Sequence, residues 1–126
     1  MAAILVVDDD PGVLSTVTFM LQVNDHVVTA VSSVRECLNK LDTEQFELII
    51  TDILMPTTDG TELIQILRKR EDAPPIIAMS GGGNIVSAND ALSLAKVLAK
   101  AVLEKPFLED ELYAVINDVL GQTRTA

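Results

Sequence analysis

Residues 4–12 read ILVVDDDPG: four apolar residues, three consecutive acids, then Pro11 and Gly12. An apolar run this short, cut off by acid, reads as a strand buried on both faces. It delivers Asp8, Asp9 and Asp10 to its carboxyl end. Pro11 then suits the first turn of a helix.

The same pattern recurs along the chain. Further short apolar runs are Val27 to Val31, Leu48 to Ile50, Ile76 to Met79 and Ala101 to Leu103. Amphipathic stripes lie between and after them. The first is Val13, Leu14, Val17 and Leu21. Val34, Cys37, Leu38 and Leu41 follow Ser32 or Ser33 as N-cap. Leu63, Ile64, Ile66 and Leu67 follow Asp59-Gly60. Leu92, Ala95 and Leu98 form a weaker stripe. Leu108, Leu112, Val115, Ile116 and Val119 form the last, which Gly121 is expected to end. Alternation throughout predicts an α/β domain with a parallel sheet covered on both faces. Five units are too few for a (βα)₈ barrel. The expected fold is a flavodoxin-like, doubly wound, five-stranded sheet in the order 2-1-3-4-5 with five helices, one domain over residues 1–126.

Composition sets the bounds. The 126 residues hold 9 Lys plus Arg against 19 Asp plus Glu, a formal charge of −10. That balance argues against direct nucleic-acid binding, which needs basic patches. A hydrophobic share of 48% supports a packed core. Cys37 is the one cysteine, so neither an internal disulfide nor a multi-cysteine zinc site can form. No apolar run has the length of a membrane span, and the N-terminus has no basic region before its apolar run. A soluble, cytoplasmic protein is expected.

Ligands of open α/β sheets bind at the carboxyl ends of the strands. Asp8, Asp9 and Asp10 follow the first run, Ser32-Ser33 the second, Thr51-Asp52 the third, Ser80 and three glycines the fourth, and Glu104-Lys105-Pro106 the fifth. Converging carboxylates from Asp8, Asp9 and Asp52 repel one another unless a cation sits among them, and a hard, oxygen-loving cation such as Mg²⁺ suits them. Lys105 adds fixed positive charge and Ser80 a donor. That set suits phosphoryl transfer, with a carboxylate oxygen as attacking group.

At these residues the chain resembles a response regulator receiver domain. The matching stretches are ILVVDDDPG at 4–12, LIITDILMPTTDG at 48–60, IIAMSGGG at 76–83 and LEKPF at 103–107. The resemblance implies that Asp52 accepts a phosphoryl group. It implies that Asp8, Asp9, Asp52 and the Leu54 carbonyl hold Mg²⁺. Lys105, before a cis proline bond, would pair with the acceptor or its phosphoryl oxygens, and Ser80 would turn onto them. The donor would be a phosphohistidine on a sensor histidine kinase or phosphotransfer protein. The fourth helix, fifth strand and fifth helix would carry the change to a downstream protein target, through residues such as Val97, Lys100 and Tyr113. Such a switch is not an enzyme beyond its own phosphorylation and dephosphorylation. A stand-alone receiver, monomeric or weakly dimeric, is expected.

Some positions depart from the family pattern. Val102 stands where receivers commonly carry an aromatic residue, and Gly81-Gly82-Gly83 could act as the moving part instead. Leu54 and Gly82 have no side chain able to orient water, which implies slow loss of the phosphoryl group. Two other readings stay open. Asp8 and Asp10 form a D-x-D pair like that of haloacid-dehalogenase-like phosphatases, with Asp8 as nucleophile. Gly81–Gly83 could cradle a phosphate in a nucleotide-binding module. His26 and Cys37 read as structural.

Overall fold

A computed structural model describes residues 2–52, 60–70, 73–80, 99–104 and 107–124, without the side chains at 60–62, 64, 80 and 122–124. The strands are β1 (Ala3–Val7), β2 (Val27–Val31), β3 (Leu48–Asp52), β4 (Ile76–Ser80) and β5 (Ala101–Glu104). The described helices are α1 (Pro11–Val23), α2 (Val34–Thr43), α3 (Gly60–Arg68) and α4 (Glu109–Arg124). The stripe expected for the fourth of five helices, Leu92 to Leu98, lies outside the described residues. Thus α4 here is the fifth amphipathic segment of the sequence. All strand pairs are parallel, in the expected order β2-β1-β3-β4-β5.

Alternation along each strand divides the core into two layers. Leu5, Val7, Ile49, Ile76 and Ala78 face α2 and α3, where they meet Val34, Cys37, Leu63 and Leu67. Ile4, Val6, Leu48, Ile50, Ile77, Met79 and Leu103 face the other way, onto Val17 and Leu21 of α1 and Leu112, Ile116 and Val119 of α4. Full burial of one such side chain contributes about 1.5–3 kcal/mol. Both faces of β1 and β3 are covered, so β1 and the first three residues of β3 are continuously apolar rather than alternating. Val102 lies opposite Ala78 and packs, partly buried, on the α2–α3 layer. Burial pushes the Cys37 thiol up to about 12, so it stays protonated and behaves as a small hydrophobe.

Caps fix the helix ends. The Ser33 hydroxyl accepts the Glu36 amide at 3.1 Å and opens α2. Leu108 is not part of the buried stripe as expected. It precedes α4, is 70% exposed, and its amide donates to Glu111 Oε1 at 3.2 Å. Nor does Gly121 end α4, which continues to Arg124. No described glycine has a positive φ, so Gly121 keeps helical backbone and merely costs the chain some entropy.

The last turn of α1 tightens: the Asn24 amide bonds the Leu21 carbonyl at 3.1 Å. The Tyr113 hydroxyl, arriving from α4, donates to the Met20 carbonyl at 2.7 Å. One carbonyl that a helix end leaves over is thereby satisfied from a second helix. Just beyond, the His26 Nδ1 accepts the Ala2 amide at 3.1 Å, which ties the start of β1 to the residue before β2. His26 is thus a structural residue on the edge opposite the acidic one.

Asp25 completes the turn with φ 65°, alone among described non-glycine residues. It combines left-handed backbone with negative charge at a helix C-terminus, and both are unfavourable. Asp25→Gly relieves both. It is expected to stabilise the fold by about 1 kcal/mol, read as a rise in denaturant midpoint at unchanged slope.

Candidate functional site

Register brings the acids together. Val7 of β1 lies opposite Thr51 of β3, so the next residues, Asp8 and Asp52, stand side by side at the carboxyl edge. Parallel neighbours are about 4.8 Å apart. Asp8 shares its parity with Ile4 and Val6, and Asp52 with Leu48 and Ile50, so both side chains leave on the α1–α4 face. One carboxylate oxygen from each of Asp8, Asp9 and Asp52 lies within 4.8 Å of the others. Asp8 and Asp52 are buried and Asp9 is exposed.

The third acid of the run does something else. Asp10 is the N-cap of α1: its Oδ1 accepts the Gly12 amide at 2.8 Å and the Val13 amide at 3.4 Å. Its own amide donates to Asp8 Oδ1 at 2.9 Å. Asp10 therefore anchors the helix and steers Asp8, while Asp8, Asp9 and Asp52 make the oxygen cluster. In this arrangement the acids that meet Asp8 are Asp9 and Asp52, while the Asp10 carboxylate is engaged at the helix N-terminus. Beside the cluster, the buried Thr51 hydroxyl donates to the Asp52 carbonyl at 3.0 Å, which braces the strand end that carries Asp52. The sequence reading assigned no role to Thr51. Its signal was a hydroxyl inside an otherwise apolar strand.

Ser80 ends β4, paired with Glu104 of β5, one position beyond the Asp52–Met79 pair. Its backbone thus stands at the same edge as Asp52. Leu54, Gly81–Gly83, Lys105 and Pro106 lie outside the described residues, as does Val97. Lys100 is exposed at the opposite end of β5, and Tyr113 packs on α1.

The donor set fits a hard cation: three carboxylate oxygens, two of the acids buried, one open to solvent. Such a pocket disfavours soft metals, since no sulfur or imidazole ligand is in the cluster.

The response regulator receiver domain family model matches residues 4–117. The transcriptional regulatory protein FixJ of Bradyrhizobium diazoefficiens is 32% identical over 98% of this chain and 58% of its own length. This chain thus spans little more than half of that relative. Among solved structures, the receiver domain of Francisella response regulator 1452 matches at TM-score 0.82 and 27% identity, over 98% of this chain and 100% of its own. A response regulator receiver domain protein from Clostridium thermocellum matches at TM-score 0.85 and 26% identity, over 98% of each chain.

The acids separate by experiment. Millimolar Mg²⁺ is expected to raise the melting temperature of wild type, because a ligand that binds only the folded state stabilises it. Asp8→Asn and Asp52→Asn should abolish that rise. Asp10→Ala should keep most of it while lowering stability by about 1 kcal/mol, the usual cost of a lost N-cap. Differential scanning calorimetry with and without the ion checks all three.

Proposed function

The chain belongs to the response regulator receiver domain family, and from that membership we propose that it is a phosphorylation-driven signalling switch with Asp52 as the acceptor. The observation that carries the proposal is the cluster of Asp8, Asp9 and Asp52 oxygens at the carboxyl edge of the sheet. Mg²⁺ held by Asp8, Asp9 and Asp52, with the Leu54 carbonyl as a further ligand, would neutralise phosphoryl oxygens there.

This chain's residues supply the rest. Asp52 offers a carboxylate oxygen at a strand end that β1 and β4 hold on both sides. That oxygen bonds to phosphorus as the phosphorus–nitrogen bond of a phosphohistidine breaks, and the imidazole leaves with the electron pair. The product is an acyl phosphate. Asp10 holds Asp8 in place through its backbone amide, so the pocket is preorganised. Lys105 pairs with the phosphoryl oxygens, and Ser80 turns onto them. The switch then repacks the segment between β4 and β5 together with β5 and α4. With Val102 in place of an aromatic residue, we propose that Gly81–Gly83 takes over the aromatic's part in the switch.

The donor is a sensor histidine kinase or phosphotransfer protein, and α1 provides its docking face. Gly12, Ser15, Thr16, Phe19 and Val23 are all exposed, at i, i+3, i+4, i+7 and i+11. The helix carries no charged residue. Phe19 is 64% exposed, and the stripe begins two residues from Asp10 at the acidic pocket. An uncharged stripe leading to the acceptor suits the apolar side of a partner helix.

Two experiments test this reading. Incubation with a small phosphodonor should add one phosphoryl group by intact mass, only with Mg²⁺, and not to Asp52→Asn. A gain that survives in Asp52→Asn would move the nucleophile to Asp8. Phe19→Asp should leave labelling by the small donor unchanged. It should slow transfer from the cognate phosphohistidine protein by about tenfold, the scale of one lost interface anchor.

A further inference from the structure

We propose that this chain associates with itself head to tail, the segment Leu108–Glu111 of one copy seating in a basic groove at the far end of the next. The proposal goes beyond phosphotransfer and does not depend on it.

The groove lies at the amino-terminal edge of the sheet, opposite the acidic pocket. Two adjoining depressions of about 270 and 300 Å³ share Arg70, Ala73 and Pro74; the first also takes in Glu44, which pairs with Lys40, and the second, the seat of the plug, has no acid among its described lining residues. Leu67, Pro75 and Ile76 give the second an apolar lining, and Arg68, Arg70 and Lys100 bring positive charge to it. With Lys69 these make four of the nine Lys and Arg of the chain. Arg68 and Lys100 are exposed and form no ion pair among the described residues. Arg70 spends one nitrogen on Asp42 Oδ1 at 3.1 Å and keeps other donors of its guanidinium. The Lys100 amide bonds the Ile76 carbonyl at 2.9 Å, which fixes this rim to the start of β4. In a chain of charge −10, local cations around an apolar lining suit an acidic segment with an apolar anchor.

The chain carries such a segment at its other end. Leu108 is the most exposed large hydrophobic residue described, at 70%. It precedes α4 at the N-cap position, which disfavours leucine, so helix formation does not explain it. Glu109, Asp110 and Glu111 follow it, all exposed. A leucine side chain is small enough for a 300 Å³ depression, with Glu109 and Asp110 left to meet Arg68 and Lys100 while Glu111 holds the Leu108 amide. Lys100 precedes β5 and Leu108 follows it, so plug and groove lie at opposite ends of one strand. Such an interface is heterologous: each copy that docks leaves a new groove and a new plug free. The contact is charged and solvent-edged, so it weakens with salt.

Opposite placement permits a decisive mixing test. One variant loses the groove (Arg68→Glu with Lys100→Glu) and the other loses the plug (Leu108→Asp). All three positions are exposed, and aspartate is a favoured N-cap, so neither variant should unfold; circular dichroism checks this. Sedimentation velocity is run without phosphodonor or Mg²⁺, from micromolar to millimolar protein at low salt. The mean mass of wild type should climb continuously with concentration, and each variant alone should stay monomeric. The equimolar mixture should form a one-to-one pair and nothing larger. A wild type that stays monomeric, variants that still associate alone, or a mixture that stays monomeric would each overturn the proposal.

Discussion

Two aspartates, Asp8 and Asp52, lie buried side by side at the end of two neighbouring strands. Withdrawing one carboxylate from water is costly, and placing two together adds repulsion. The surrounding architecture makes this tolerable. Parallel register sets their spacing, and the pleat sends both to one face. The Asp10 amide satisfies one oxygen of Asp8, and Asp9 keeps the cluster open to solvent. An antiparallel pairing of the same strands would put their carboxyl ends at opposite edges. The right-handed βαβ crossovers that parallel strands require therefore serve the pocket as much as the core.

Much of this was legible in the residues. Strands buried on both faces must be short and apolar throughout, so each announced itself, and the acids beyond them marked the edge where sites form. Asp8, Asp9 and Asp52 could be grouped because each abuts such a run. What Asp10 does instead, capping α1 while its amide holds Asp8, was not legible. Which of three consecutive acids turns back to cap a helix depends on backbone direction at the strand end, and sequence spacing does not encode it. Leu108 misled for a related reason. Its place in a helical stripe is correct by period, but the helix starts one residue later and leaves it outside. Gly121 misled because a glycine halts a helix only where the backbone turns left-handed.

Features made by three or more separate segments were the least visible. The basic groove joins the end of α3, the proline pair and the residue before β5. No local pattern links Arg68 to Lys100 across 32 residues. The neutral α1 stripe was visible as composition, yet its meaning came only with the burial of Val17 and Leu21, which turns Phe19 and Val23 outward.

The hydroxyl of Tyr113 on the Met20 carbonyl has a consequence of a different kind. The chain contains no tryptophan and a single tyrosine. Its near-ultraviolet emission is therefore dominated, over three weakly emitting phenylalanines, by one phenol placed at the seam between the first and last described helices. Light from this molecule, unmodified and without any attached dye, reports whether those two helices are in contact.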